Sequence, residues 1–297
     1  MLSHISLLLL LLLPLAFGQT VCNGNAALCD RSYGNVTFLG AHDSFAFSED
    51  ALALAADQQV NITAQLDLGV RFLQAQSHLN DGVIHFCHTS CALFDGGTVL
   101  AYLQTLMAWL EANPNEIVTC LFTNPEGLSI PDVWQPVFEQ SGISAVAYTP
   151  PQNPMPADAW PTLASMLSAG TRVVIFLDAG ADGTDGAAVP YILPEFTMIW
   201  EPPFDSTNAS FPCSVNRISG SPADHLYLLN HFLDIDILGI LISDPGQAPT
   251  TNSVASIVAD AQGCVPLSQR NANPTYVLLD FVNLGDGMAA VNQLNGL

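Results

Sequence analysis

The sequence predicts an α/β protein, a distorted TIM-type (β/α)8 barrel in which β-strands alternate with α-helices. Short β-branched or apolar runs recur along the chain at residues 36–39, 70–73, 83–86, 117–122, 173–177, 196–199, 226–229 and 276–279. Eight such runs match the number of strands in a closed parallel barrel. The runs that begin at Val70 and Val83 leave too little chain between them for a helix, so we expect the barrel to be irregular there.

Helical patterns separate some of these runs. The clearest helix has apolar side chains at the i, i+3, i+4, i+7 spacing of one helix face and ends at Asn113-Pro114. Its apolar residues are Val99, Leu100, Leu103, Leu106, Met107 and Leu110. Weaker helical patterns lie at residues 132–140, 163–169 and 253–261, and the proline-rich segments around Pro150 and Pro202 predict long loops.

The N-terminus predicts secretion. An apolar run at residues 7–13 is too short to span a bilayer, and the small-x-small cleavage pattern Ala16-Phe17-Gly18 follows it. We therefore expect a signal peptide over residues 1–18 and an extracellular protein. Residues 19–297 then suffice for one large core, so we expect a single barrel domain and a monomer. The last residues contain amide side chains rather than an apolar tail, and we expect no stable membrane anchoring.

The charge balance excludes several classes of partner. The chain has five arginines, no lysine and a formal net charge of −22. Binding to nucleic acid and electrostatic docking to anionic lipid both need basic clusters, which this sequence lacks. Such an acidic chain is typical of a protein that stays soluble in an acidic medium.

Seven cysteines in a secreted chain predict three disulfides and one spare thiol. The spare is expected to be Cys120, which lies inside the apolar run 117–122 and would be a small buried hydrophobe. Spacing favours the pairs Cys22–Cys29, Cys87–Cys91 and Cys213–Cys264, although six cysteines allow many other connectivities. Acceptor sequences for N-glycosylation occur at Asn35, Asn61 and Asn208.

Polar side chains follow the strand runs directly or closely. Because the carboxyl ends of barrel strands open onto one face, where such folds place their active sites, we expect these side chains to meet. They include His42, Asp43, Gln74, Gln76, His88, Asn124, Asp178, Glu201, His231 and Asp280.

Five segments in order carry a resemblance to a known family. They are Gly40-Ala41-His42-Asp43-Ser44, Leu-Gly-Val-Arg-Phe-Leu at 68–73, Val-Ile-His-Phe-Cys-His at 83–88, the 109–116 segment that ends in Asn-Pro-Asn-Glu, and Tyr-Val-Leu-Leu-Asp-Phe at 276–281. Together they resemble the X domain of phosphatidylinositol-specific phospholipase C. The Gln-Ala-Gln, Cys-His-Thr-Ser-Cys and final Gln-Leu-Asn-Gly segments are similar to secreted fungal phospholipase-C-like phosphodiesterases along nearly the whole mature chain.

The resemblance implies metal-free cleavage of a small-molecule or lipid phosphodiester, with no cofactor. The inositol 2-hydroxyl would attack its own phosphate and give a cyclic phosphate and diacylglycerol. His42 would be the general base, held in its tautomer by Asp280, and His88 the general acid, with Asp43 as its hydrogen-bond partner. Two imidazoles that titrate near neutrality suit the two proton transfers of an in-line displacement. Residues expected to contact the substrate are Gln76, Asn124 and His231.

The sequence departs from the family where charge matters. Bacterial members carry an acidic residue and then a phosphate-binding arginine where this chain has Gln74 and Gln76, and calcium-dependent members use carboxylates in this segment. An amide supplies neither the negative charge that calcium needs nor the positive charge that phosphate needs. We therefore expect weak activity. Arg71 lies at a position where we expect an architectural hydrogen-bond donor.

Three other interpretations stay open at this point. His85 and His88 with Cys87 and Cys91 suggest zinc, although i and i+3 on a strand point to opposite faces and a secreted chain tends to oxidise its thiols. Paired carboxylates such as Asp178 and Glu201 would suit a glycoside hydrolase. A third possibility is a catalytically silent barrel that binds inositol or carbohydrate.

Overall fold

The computed structural model describes residues 21–50, 53–183 and 188–297. The predicted signal peptide lies outside these residues. Among them, no helix combines the length and the apolar character that a membrane crossing requires.

Strands and helices alternate along the described chain. The strands are β1 (Phe38–Ala41), β2 (Val70–Ala75), β3 (Ser77–Asn80), β4 (Val83–His88), β5 (Phe94–Thr98), β6 (Val118–Phe122), β7 (Val173–Leu177), β8 (Ile192–Pro194), β9 (Ile199–Trp200), β10 (Leu226–Asn230), β11 (Asp234–Ile237), β12 (Ile240–Ser243) and β13 (Tyr276–Leu279). The helices are α1 (Ile62–Asp67), α2 (Val99–Ala112), α3 (Gln135–Gln140), α4 (Leu163–Ser168), α5 (Ala248–Thr251), α6 (Val254–Cys264) and α7 (Gly287–Leu294).

Eight parallel strands curl into a distorted barrel, which confirms the predicted fold class. Their order is β8-β7-β6-β2-β1-β13-β10-β9, so within the described residues the barrel is open between β8 and β9. The register between β1 and β2 shifts at Leu39/Gly40. Gly40 allows this close approach, because a Cβ there would lie 2.9 Å from the Phe72 ring and 3.1 Å from the Val277 carbonyl oxygen.

One of the eight predicted barrel strands is wrong. The run at 83–86 forms β4, which pairs antiparallel with β3 and β5 in a separate three-stranded sheet. The physical reason is chain length, since a parallel neighbour needs a crossover of a dozen or more residues. The eighth barrel strand is the unpredicted β8, and residues 196–199 are mostly the short 3-10 turn Glu195–Thr197 before β9.

Successive strand residues alternate between two apolar layers. One set, including Phe38, Phe72 and Tyr276, fills the barrel, whereas Leu39, Leu73 and their equivalents pack beneath the helices. At the amino ends of the strands the Tyr33 hydroxyl lies 2.6 Å from the Tyr276 hydroxyl. The Tyr33 ring stacks on the Trp160 ring. The barrel interior is therefore filled at the amino ends, and its polar side chains lie at the carboxyl ends.

The helix predictions hold where the apolar period was clear. α2 begins after Thr98, whose hydroxyl accepts a hydrogen bond from the Ala101 N–H at 3.2 Å, and ends at Ala112 before Asn113-Pro114. The weaker patterns correspond to a π-helical turn with α3, to α4 and to α6. Arg71 is architectural, as expected: it donates to the Leu66 carbonyl oxygen at 2.7 Å and to Glu116 at 2.8 Å.

All three favoured disulfides are present, and Cys120 is the free, buried cysteine. Asn35, Asn61 and Asn208 are exposed, so the three acceptor sequences are accessible.

Candidate active site

A cavity of about 480 Å³ opens at the carboxyl ends of the barrel strands. His42, Gln76 and His88 line it, as the strand-end pattern predicted. Asp43 and Asp280 are buried beside these histidines.

His42 follows β1 and is held on several sides. Its Nδ1 lies 2.8 Å from Asp280 Oδ1, its backbone N–H donates to the Leu279 carbonyl at 2.9 Å, and its carbonyl accepts from the Gln58 amide at 2.8 Å. The ring stacks on Phe232 at 4.0 Å. Because Nδ1 is occupied by Asp280, Nε2 is the nitrogen that remains for exchanging a proton with a ligand.

Three carboxylates decide the protonation of His42. Burial by itself would lower the pKa of this imidazole, but Asp280, Asp43 and Asp57 outweigh burial and raise the pKa from 6.5 to about 10. The resting site therefore favours an imidazolium paired with Asp280 at neutral pH.

His88 ends β4 and is half-buried. The Cys87–Cys91 disulfide brackets it, as predicted, and its Nδ1 lies 3.0 Å from the Ala55 carbonyl oxygen and so carries the proton. Its Nε2 is 3.7 Å from Asp43 Oδ2, which is too long for the hydrogen bond expected from the sequence. The reason is that Asp43 is occupied elsewhere.

Asp43 is held by the two glutamines. Gln76 donates its side-chain amide to Asp43 Oδ2 at 2.7 Å and its backbone N–H to Oδ1 at 3.1 Å, and Gln74 Oε1 accepts the Asp43 backbone N–H at 2.8 Å. Burial raises the pKa of Asp43. Gln76 therefore lines the cavity, but its donor is already in use.

Asp57 is a site residue that sequence reasoning missed. It is 1% exposed, Oδ1 accepts from the Ser243 hydroxyl at 2.5 Å, and Oδ2 has no hydrogen-bond partner and lies 3.6 Å from His88 Nε2. Burial first, and then Asp280, raise the pKa of Asp57 well above its ordinary value. The signal in the sequence is the polar triplet Asp57-Gln58-Gln59 after an apolar stretch.

Comparison with known proteins places this arrangement in a family. The PI-PLC X model, described as PI-PLC X 1, matches residues 28–295. The chain belongs to the PI-PLC X family. The match includes every residue from His42 to Asp280, so the whole candidate site lies inside the family domain.

Two curated relatives of this PI-PLC X chain come from Arthroderma benhamiae. "PI-PLC X domain-containing protein 1" is 40% identical over 283 residues, which are 93% of this chain and 90% of the relative. An "Uncharacterized secreted protein" is 36% identical over 284 residues, which are 92% of this chain but only 62% of that longer protein.

Solved structures show the same fold. A phosphatidylinositol-specific phospholipase C from Staphylococcus aureus superposes with a TM-score of 0.57 at 16% identity, covering 90% of this chain and 94% of that one. The enzyme from Listeria monocytogenes gives a TM-score of 0.54 at 15% identity, covering 95% and 96%.

The PI-PLC X barrel of this chain brings one arginine to the cavity that no motif indicated. Arg217, from the loop between β9 and β10, donates Nε to Glu201 Oε2 at 3.1 Å and lies 4.3 Å above the Phe204 ring. Glu195 and Asp178 share this wall, and burial raises the pKa of both carboxyls, that of Glu195 well above its ordinary value. The guanidinium is thus already paired with the Glu201 carboxylate.

Two predicted substrate contacts lie elsewhere. Asn124 caps its own loop: its side chain donates to the Leu128 carbonyl at 3.0 Å and accepts from the Leu128 N–H at 2.9 Å. His231 is fully buried and bonds Asp260 at 2.7 Å. Neither residue lines the cavity, so both side chains are structural in this fold.

Two overlapping clusters are suited to a metal ion. His42, Asp57 and Asp280 form one, and Asp43, Asp57 and His88 form the other, each with ligand atoms within 4.8 Å of one another. Imidazole and carboxylate together suit divalent transition metals. The zinc set considered from the sequence is excluded, because Cys87 is in a disulfide.

Proposed function

We propose that this chain is a secreted phosphodiesterase that cleaves a phosphoinositide or a related phosphodiester by acid–base catalysis between two histidines. One observation carries the proposal: His42 and His88 line one cavity at the carboxyl ends of the barrel strands, and Asp280 orients the first imidazole at 2.8 Å. Membership of the PI-PLC X family and the fold of the bacterial enzymes support the same chemistry. A relative named as secreted supports the extracellular location.

Both imidazoles are anchored in the same way. Asp280 holds Nδ1 of His42 and the Ala55 carbonyl holds Nδ1 of His88, so each ring presents Nε2 to a ligand. In the proposed reaction His42 acts in its neutral form, which is the minor form at neutral pH because its pKa is raised to about 10. Neutral His42 removes the proton from the attacking hydroxyl as that oxygen bonds to phosphorus. The bond from phosphorus to the leaving oxygen breaks, and protonated His88 gives that oxygen a proton. Each positioned acid or base contributes about 10²- to 10⁴-fold.

The proposed activity is weak because, among the described residues that line the cavity, none offers the phosphate an unpaired guanidinium. Gln76 replaces the charged donor and is bonded to Asp43, and Arg217 is paired with Glu201. Loss of one preorganised donor typically costs about 10²- to 10³-fold.

The test is turnover of a cyclising phosphoinositide by the wild type and His42→Ala, each with and without chelator. His85→Ala is the matched control, because His85 lies on the same strand as His88 but pairs with Asp95 at 2.8 Å outside the cavity. We expect activity in the wild type and the control and none in His42→Ala. Equal rates in wild type and His42→Ala would reject the acid–base assignment, and loss on chelation would place a metal in the Asp57 clusters.

A second candidate is a silent barrel that binds inositol or carbohydrate. The pairing of Arg217 with Glu201 favours it, since a guanidinium and the carboxyl groups beside it can bind hydroxyl groups without cleaving a phosphate. Calorimetric binding of myo-inositol, with no turnover of any phosphodiester, would establish this alternative.

A further inference from the structure

Acidic side chains outnumber basic ones in the lining of the cavity. Among the described residues, the lining carboxyl groups belong to Asp57, Asp178, Glu195, Glu201, Asp205 and Asp234. One guanidinium, that of Arg217, lines the cavity with them and is paired with Glu201. The imidazole of His42 is likewise paired, with Asp280. A ligand that enters therefore meets carboxyl groups for which the cavity has no matching cation.

The backbone brings two of these carboxyl groups to the same part of the cavity. Ser206 and Leu233 form a parallel β-bridge, and the Asp234 N–H donates to the Ser206 carbonyl at 2.9 Å. Asp205 and Asp234 flank that bridge, and both line the cavity. Within the described part of the chain, neither carboxyl group is held by an ion pair or by a side-chain hydrogen bond. Both are therefore open to a ligand.

Electrostatics connect this pair with the proposed catalytic base. Burial raises the pKa of Asp205, whereas the charges of His42 and Arg217 lower it. The pKa of Asp234 is raised to about 7, by burial first and then by Asp280 and Asp205, while His42 opposes the rise. A ligand at His42 would therefore lie in the electrostatic field of both carboxyl groups.

Two deeper carboxyl oxygens lack a hydrogen-bond donor. Asp57 Oδ2 and Glu195 Oε1 are buried and have no partner within the described residues, and the two side chains are 1% and 3% exposed. Both residues line the cavity. A buried acceptor without a donor costs free energy. The Gln76 amide does not supply that donor, because it is bonded to Asp43. The cavity thus has acceptors in excess and needs donors that carry positive charge.

This need selects a class of ligand. An anionic phosphodiester by itself offers acceptors and negative charge, which the cavity already has in excess. A primary ammonium group has three N–H donors and a positive charge, and it forms charge-assisted hydrogen bonds with carboxylates. A phosphodiester that also carries a primary ammonium is zwitterionic, so its own cation offsets the charge of the phosphate.

We propose that the cavity recognises a zwitterionic phosphodiester by a primary ammonium group that binds between Asp205 and Asp234, with the phosphate beside His42 and His88. This assignment names the substrate class among the phosphodiesters considered above. The identity of this ligand as the substrate rests on the proposed function, whereas the binding of the ammonium does not.

The experiment is isothermal calorimetry of the full mature chain at pH 8 with chelator present. At this pH Asp234, with a pKa of about 7, is a carboxylate. The ligands are glycerophosphoethanolamine, its N-acetyl derivative and glycerophosphoinositol. All three share the glycerol phosphodiester, and the N-acetyl derivative differs from the first only by losing the charge and the donors of the ammonium.

The variants are Asp205→Asn and Asp234→Asn, with Asp81→Asn as the matched control. Asp81 is exposed like Asp205 and has the same left-handed backbone, with φ +49° against +54°, but it lies in the β3–β4 turn outside the cavity. Asparagine tolerates this conformation, so both substitutions suit the backbone. Thermal unfolding of all three variants checks that they fold.

We expect the wild type to bind glycerophosphoethanolamine about tenfold more tightly than the N-acetyl derivative, the factor for charge-assisted hydrogen bonds, and more tightly than glycerophosphoinositol. Asp205→Asn and Asp234→Asn should each reduce that preference by about two- to fivefold, the range for a solvent-accessible ion pair. Asp81→Asn should leave it unchanged. Equal binding of the first two ligands, tighter binding of glycerophosphoinositol, or a preference that survives both substitutions would overturn the proposal.

Failure of the proposed function is distinguishable from failure of this one. His42→Ala should keep the preference for the ammonium, because Asp205 and Asp234 remain. A preference for the ammonium in a protein that turns over no phosphodiester would reject the catalytic proposal and retain the ammonium site. Turnover that His42→Ala abolishes, with no preference between the ammonium and its N-acetyl derivative, would do the reverse.

Discussion

Replacing Asp280 by asparagine tests how the buried carboxylates control His42. Asparagine keeps the size and one oxygen for the 2.8 Å contact with His42 Nδ1, but it removes the charge. Among the groups that raise the pKa of His42, Asp280 contributes most, against burial, which lowers the pKa. We therefore expect the pKa of His42 to fall from about 10 toward its ordinary value of 6.5 in Asp280→Asn.

The size of the effect follows from that shift. A rise from 6.5 to about 10 corresponds to about 5 kcal/mol of preference for the imidazolium, at about 1.4 kcal/mol per pKa unit. Because the folded state holds this proton more tightly, the stabilisation is complete below pH 6.5 and is lost as pH rises to about 10. In Asp280→Asn the free energy of unfolding should therefore fall less as pH rises through this interval. Turnover per neutral His42 should fall by about 10²- to 10⁴-fold, the contribution of one oriented acid or base. The larger neutral fraction of His42 at pH 7 in Asp280→Asn offsets part of that loss.

The assay is a nitrogen-15 NMR titration of the histidines, together with unfolding in urea at several pH values. His85, which lies outside the cavity, serves as the internal control. A His42 that still titrates near pH 10 in Asp280→Asn, or an unchanged turnover per neutral His42, would refute the assigned role of Asp280.

Three further predictions concern other residues. Gln76→Arg should raise phosphodiester turnover by about 10²-fold or more, because a guanidinium has five N–H donors and can bond the phosphate as well as Asp43. An unchanged rate would show that this position does not face the phosphate. Asp234 has a pKa raised from 3.8 to about 7, chiefly by burial, so the folded state favours its proton and stability should fall as pH rises through that interval. In Asp234→Asn the free energy of unfolding, measured in urea, should fall less over the same pH interval. A pH profile identical to that of the wild type would contradict the assignment. Cys120→Ser should lower the free energy of unfolding by about 1 to 3 kcal/mol, because a buried hydroxyl is left without a partner, and thiol titration of the wild type should find one reactive thiol only after denaturation.

Local patterns in the sequence were sufficient for most of the barrel. β7 and β13 have the predicted bounds, and α2 ends where Asn113-Pro114 predicts. The misassigned strand at 83–86 shows the limit of this reasoning, since β-branched composition does not reveal which strand pairs with which. The short strand β8 escaped detection because a three-residue run leaves too little pattern to recognise.

The sequence alone determined the charge, and its local motifs located the histidines that follow β1 and end β4. It favoured the three cysteine pairs but did not determine them, since Cys213 and Cys264 are 51 residues apart. Only the tertiary structure showed that Asp57 lies beside His88. There Asp57 accepts a hydrogen bond from Ser243, which is 186 residues further along the chain. It also placed Arg217 in the cavity that the histidines line, left Asn124 and His231 out of that lining, and left Leu238 fully exposed. These features depend on how loops pack against distant elements and on which polar groups are satisfied there, and the burial of a side chain cannot be derived from spacing along the chain.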